Sequence, residues 1–197
     1  MSNPYYRFLD LPFPFFDQEA VVEKYSNTPG FDPSKNKQWR IEGNNPDIFN
    51  KDAYSWLDKF GCYAGVAELF YTAPNSGIRW HVDISGYSPI FDYVKINFIW
   101  GPDRDHYMEW AEPKPELPTP EIGYNSAGSP HMIFKEDQVN LVESVTIDRP
   151  ILVNVGRAHR AVNKSDQARW CLCLIPKIGI NRIAMPDAIE LFKDFIS

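Results

Sequence analysis

Apolar and polar residues alternate with a period of two over much of the chain, and this pattern predicts strands. The segment 93–100 is the clearest case. Val94, Ile96, Phe98 and Trp100 form one apolar face, while Lys95 and Asn97 lie on the other. Strand signals of this kind run over 66–71, 78–84, 93–100, 106–110, 132–134, 139–147, 151–155, 158–163 and 169–175. Turn residues separate several of them, as in Pro74-Asn75-Ser76-Gly77, Gly101-Pro102-Asp103 and Asn163-Lys164-Ser165-Asp166. Helical signals are confined to the flanks. They cover 17–25, with Asp17 placed to cap, then 52–60, and 187–196 after Pro186.

Eight or nine strands with helices at the ends predict a mainly β fold, a sandwich or jelly roll. We read residues 1–197 as a single domain: an N-terminal helical and loop extension over 1–60, a β core over 66–176 and a closing helix over 186–197. Residues 26–50, rich in Asn, Pro, Gly and Asp, read as loop. So does 111–130, where prolines at 113, 115, 118 and 120 remove the donors a central strand needs. A loop of that length is either a lid over a pocket or a surface excursion.

The 197 residues are 44% hydrophobic and 15% aromatic, enough for a packed core rather than a disordered chain. Seventeen prolines against eleven glycines favour short elements over a helix bundle. The net charge of −6 offers no general attraction for nucleic acid or an anionic membrane. The one basic concentration, Lys35-Asn36-Lys37-Gln38-Trp39-Arg40, reads as a solvated loop. Nucleic-acid and membrane partners are therefore not expected. Three cysteines (62, 171 and 173) form no disulfide framework, and Cys171 and Cys173 share a strand face that suits a bridge poorly. With no signal-peptide pattern at the N-terminus and no apolar run of membrane-spanning length, a reducing, cytoplasmic location is expected.

The candidate chemistry lies in three residues. His81 and Asp83 are two apart on a predicted strand, so both face the same side, and His159 follows much later between two β segments. Two imidazoles and one carboxylate holding one face of a metal are the ligand set of a 2-His-1-carboxylate iron(II) centre. Ten residues after His159 stands Arg169. If 158–163 and 169–175 form a hairpin about Ser165, then 159, 161, 169 and 171 share a face. Arg169 then points into the interior that holds His159, and a buried guanidinium there calls for an anionic partner. That partner is the far carboxylate of 2-oxoglutarate or an internal acid. Lys95 is a rival carboxylate anchor, and Asn97 on the same face is placed to orient a cosubstrate or substrate by hydrogen bonding. Arg157 is a weaker substrate-binding candidate. His106 and His131 are expected on the surface or in turns, with His106 a competing metal ligand beside Asp103 and Asp105.

Two blocks, Arg79-Trp80-His81-Val82-Asp83 through Lys95-Ile96-Asn97-Phe98 and Leu152-Val153-Asn154-Val155 through His159 and Arg169, resemble the 2-oxoglutarate/iron(II)-dependent oxygenase superfamily. The resemblance implies a double-stranded β-helix, a jelly roll with the metal at its open mouth. It implies iron(II) on His81, Asp83 and His159, 2-oxoglutarate on Arg169, and dioxygen as the second cosubstrate. The implied reaction is hydroxylation of a small-molecule or peptidyl substrate, with release of succinate and carbon dioxide. One departure matters: many members carry Ser or Thr two residues after the Arg, and Cys171 here is a poorer donor, which brings in Tyr71 as a further contact for the carboxylate. Two rival readings stay open: a jelly-roll binding protein without turnover, and a cupin-type metal dioxygenase that does not use 2-oxoglutarate.

Overall fold

The computed structural model describes residues 3–43, 45–84, 92–101, 104–115, 121–125 and 128–197. In chain order the first elements are β1 (Tyr6–Phe8), α1 (Gln18–Ser26), β2 (Lys37–Glu42), α2 (Lys51–Asp58), β3 (Tyr63–Thr72), β4 (Ser76–Gly77), β5 (His81–Asp83) and β6 (Val94–Trp100). There follow β7 (His106–Pro113), β8 (Glu121–Tyr124), β9 (Pro130–Ile133), β10 (Val139–Val145), β11 (Ile151–Asn154), β12 (Ala158–Asn163), β13 (Arg169–Ile178), β14 (Asn181–Arg182) and α3 (Met185–Leu191).

The strands form two antiparallel sheets. The first has the order β1-β11-β6-β13-β3-β2, with β14 beside β13. The second runs β10-β7-β12-β5-β9-β8, with β4 beside β12. Eight of these strands (β3, β5, β6, β7, β10, β11, β12 and β13), counted one to eight, carry the central topology. The first sheet places the first, eighth, third and sixth side by side, and the second sheet the second, seventh, fourth and fifth. Successive strands thus alternate largely between the sheets, which is the jelly-roll winding.

Sequence alternation explains the layering. Val94, Ile96 and Phe98 of β6, with Leu172 and Leu174 of β13, turn outward and pack under α1, α2 and α3, against Val21, Trp56, Leu57 and Phe192. The opposite faces of the same strands look between the sheets, where Ile99, Cys171 and Cys173 meet Met108, Trp110 and Ala161 of the second sheet. Trp110 is fully buried there; its indole N–H donates to the Asn154 carbonyl at 3.0 Å, and Tyr6 stacks on it at 5.4 Å.

Three expectations need correction. First, β12 and β13 are not a hairpin. β12 pairs with β7, β5 and β4, while β13 pairs with β6 and β3 in the other sheet. Residues 164–168 cross between sheets, and the buried Asn163 holds the crossing by donating to the carbonyls of Ala73 (3.1 Å) and Gln167 (2.8 Å). Second, 37–42 is a strand, not loop. β2 pairs with β3 along its whole length, and β1 pairs with β11, so residues before 60 form both edges of the first sheet. Third, part of 111–130 is paired. β7 continues to Pro113 at its end, and β8 forms a hairpin with β9. Residues 116–120, the heart of the proline-rich stretch, lie outside the described residues.

Candidate metal centre and cosubstrate cavity

His81 and Asp83 project from the same face of β5, and His159 on neighbouring β12 sits directly across the strand pair from His81. The ligand atoms of the three residues lie within 4.8 Å of one another. The imidazole rings are 4.3 Å apart, and His81 Nε2 stands 3.7 Å from Asp83 Oδ1. No other such group occurs among the described residues.

Backbone carbonyls set the orientation of both rings. His81 Nδ1 lies 2.8 Å from the Arg79 carbonyl and His159 Nδ1 lies 2.9 Å from that of Arg157. A carbonyl only accepts, so each Nδ1 carries the hydrogen and each Nε2 keeps its lone pair for a metal. Burial, and after it the field of His81, pushes the His159 pKa down to about 3; burial also lowers that of His81. For Asp83, burial opposes ionisation, but Lys95 and then His81 outweigh it and hold the carboxyl below its ordinary range. The three groups are therefore in their ligating forms at neutral pH.

A stability prediction follows from His159. Unfolded histidine titrates near ~6.5, so between that pH and about 3 the unfolded chain binds a proton that the folded one refuses. The metal-free protein should lose stability as pH falls through this window. In His159→Phe the slope should be shallower in denaturant titrations between pH 7 and 4, and an unchanged slope would refute the assignment.

The cluster opens into a cavity of about 380 Å³ between the sheets. Arg169, Lys95 and Asn97 line it from the first sheet, so Arg169 reaches the same interior as His159, but from across the sandwich rather than along a hairpin. Arg169 is 1% exposed, and its Nε and Nη2 have no hydrogen-bond partner among the described residues. Lys95 is bound instead: its Nζ is 2.6 Å from Asp83 Oδ2 and 2.7 Å from Glu68 Oε2. Burial would favour the neutral amine, yet the two carboxylates hold Lys95 charged, above its ordinary range. Of the two rival anchors, Arg169 is the one free to take a carboxylate. Asn97 leaves its buried Oδ1 unpaired among the described residues. Tyr71 borders the cavity, but its hydroxyl donates to the Pro33 carbonyl at 2.8 Å, which leaves only oxygen lone pairs. The Cys171 thiol lies 3.5 Å from that of Cys173.

Arg157 is taken by Asp92, at 2.7 and 3.2 Å. The two remaining histidines are not where the sequence suggested. His106 is buried on β7, outside the metal cluster, and Asp103 lies outside the described residues. His131, on β9, pairs in register with Asp83, lines the cavity and stands 5.6 Å from the His81 ring. Sequence reasoning also missed Glu68. Its signal is a lone acid on the inward face of β3, between Ala67 and Leu69, which face the helices.

No protein-family model matches the chain, and no curated protein matches it. Among solved structures, peruvianin-I, a cysteine peptidase from Thevetia peruviana latex, is 11% identical over 90% of this chain and 95% of its own, with a TM-score of 0.36. Oxalate oxidase in complex with the substrate analogue glycolate is 9% identical over 92% of this chain and 78% of its own, also at 0.36. Likenesses this remote bear on neither fold nor function, so the jelly-roll assignment rests on the strand order and the candidate chemistry on the cavity.

Proposed function

We propose that this protein is an iron(II)- and 2-oxoglutarate-dependent oxygenase that hydroxylates a small-molecule or peptidyl substrate. The observation that carries the reading is the pairing of two features in one cavity: the converging His81, Asp83 and His159, and the buried Arg169 with two unpartnered nitrogens. Two neutral imidazoles and a carboxylate suit iron(II) and leave its remaining positions open. An orphaned guanidinium fits an acid that arrives from solution, because its planar fork takes both oxygens of a carboxylate.

Bound iron, with 2-oxoglutarate and dioxygen, supplies the oxidising chemistry. The chain's own residues position it. Both histidines present Nε2 because their Nδ1 hydrogens are engaged by carbonyls. Arg169 fixes the far carboxylate of 2-oxoglutarate, and the unpaired Oδ1 of Asn97 accepts a donor from substrate or a bound water. Phe70, Ile78, Met108, Ile133 and Val155 supply apolar walls that keep water from the reacting region.

An anaerobic titration of iron(II) and 2-oxoglutarate into metal-free protein tests this. The expected result is a visible charge-transfer band that is absent in His81→Ala and weakened in Arg169→Ala. A folded parent without the band would overturn the proposal. Metal analysis would then separate a metal enzyme independent of 2-oxoglutarate from a binding protein without metal.

A further inference from the structure

The metal and cosubstrate roles leave Glu68 and Lys95 unused, although both are almost wholly buried beside the site. We propose that they are a positioning pair that fixes Asp83 as a ligand through one oxygen. This rests on the metal reading above.

The two oxygens of Asp83 have different surroundings. Oδ2 meets the Lys95 ammonium at 2.6 Å, while Oδ1 is the one near His81 Nε2, at 3.7 Å. Lys95 therefore engages one oxygen and turns the other toward the histidines. Lys95 is itself held by Glu68 at 2.7 Å. Glu68 is held in turn through its second oxygen, which accepts from Ser129 Oγ at 3.0 Å and from Asn125 Nδ2 at 3.4 Å. The chain of contacts runs from residues flanking the β8–β9 turn, through β3 and β6, to the metal ligand on β5.

Charge and geometry predict opposite signs here, which makes the idea testable. On charge alone, an ammonium beside a ligand oxygen opposes cation binding, so its removal should tighten metal binding. On geometry, a carboxylate freed from its partner must be oriented anew, and loss of such a partner weakens metal binding by ~10–100-fold.

The measurement is the affinity for Mn(II), followed by electron paramagnetic resonance on metal-free protein without 2-oxoglutarate. Glu68→Gln/Lys95→Met removes both charges together, and its affinity should fall within the ~10–100-fold range. Lys95→Arg, which keeps a cation, should recover most of the loss. Equal or tighter binding in the folded double variant overturns the proposal. If that variant does not fold, Lys95→Gln alone decides, since it removes the ammonium and charge alone predicts tighter binding: weaker Mn(II) binding supports the pair, and equal or tighter binding overturns it. A parent that binds no Mn(II) or iron(II) refutes the metal reading itself, a result distinct from a parent and variant that bind equally well.

Discussion

Arg169→Met should make the metal-free protein more stable and abolish the stabilisation that the proposed function predicts for 2-oxoglutarate. Arg169 is 1% exposed, and among the described residues its Nε and Nη2 are unpaired and no acidic side chain is bonded to it. Burial lowers its pKa, a sign that the charged form is held at a cost, which the Cys171 and Cys173 sulfurs only partly offset. Met fills a comparable volume without a charge to desolvate. Even replacement of buried ion pairs, whose charges are compensated, by apolar residues of similar size often gains ~1–4 kcal/mol in other proteins. The parent, with metal and 2-oxoglutarate at a hundred times its Kd, should gain ~2.7 kcal/mol. Denaturant titrations of both proteins, with and without 2-oxoglutarate, give the answer. A less stable variant that still responds to 2-oxoglutarate would mean that Arg169 is a structural cation.

The opposite sign is expected at Lys95. Lys95→Met strands two carboxylates, Glu68 and Asp83, which share the Lys95 ammonium at 2.7 and 2.6 Å. Breaking a buried pair from one side costs ~3–5 kcal/mol, because the partner's charge is left uncompensated. Glu68→Gln in the Lys95→Met background should return a large part of that cost, since an amide carries no charge and still accepts from Ser129. The double-mutant cycle should therefore show strong coupling. Additive effects would mean that Lys95 and Glu68 act on stability independently.

Part of the candidate metal cluster was legible because its placement follows from strand geometry alone. Two residues two apart share a face whatever the tertiary fold, so His81 and Asp83 could be paired without knowing the sheet. The two-faced β6 was legible for the same reason, and Lys95 and Asn97 do line the cavity. Pairing partners were not legible. Lys164-Ser165-Asp166-Gln167 makes as good a hairpin turn as a crossing between sheets, and β12 and β13 read alike in both arrangements. What decides is Asn163, whose buried amide ties the crossing to the end of β3. Strands β2 and β8 escaped notice because edge strands bury little. In β2 only Ile41 is buried, and Ile122 and Tyr124 of β8 are exposed, so neither has an alternation to read. Lys95 could not be assigned from sequence, since its role depends on Glu68, a residue 27 positions away on a different strand.

The edges of the first sheet carry a practical consequence. β1 covers the free side of β11 and β2 covers that of β3. A fragment trimmed to begin after residue 60, designed to isolate the β core, would bare two rows of backbone donors and acceptors at once. It would also uncover the apolar faces of β6 and β13 that α1 and α2 shield. Such a fragment should polymerise edge to edge rather than behave as a minimal domain.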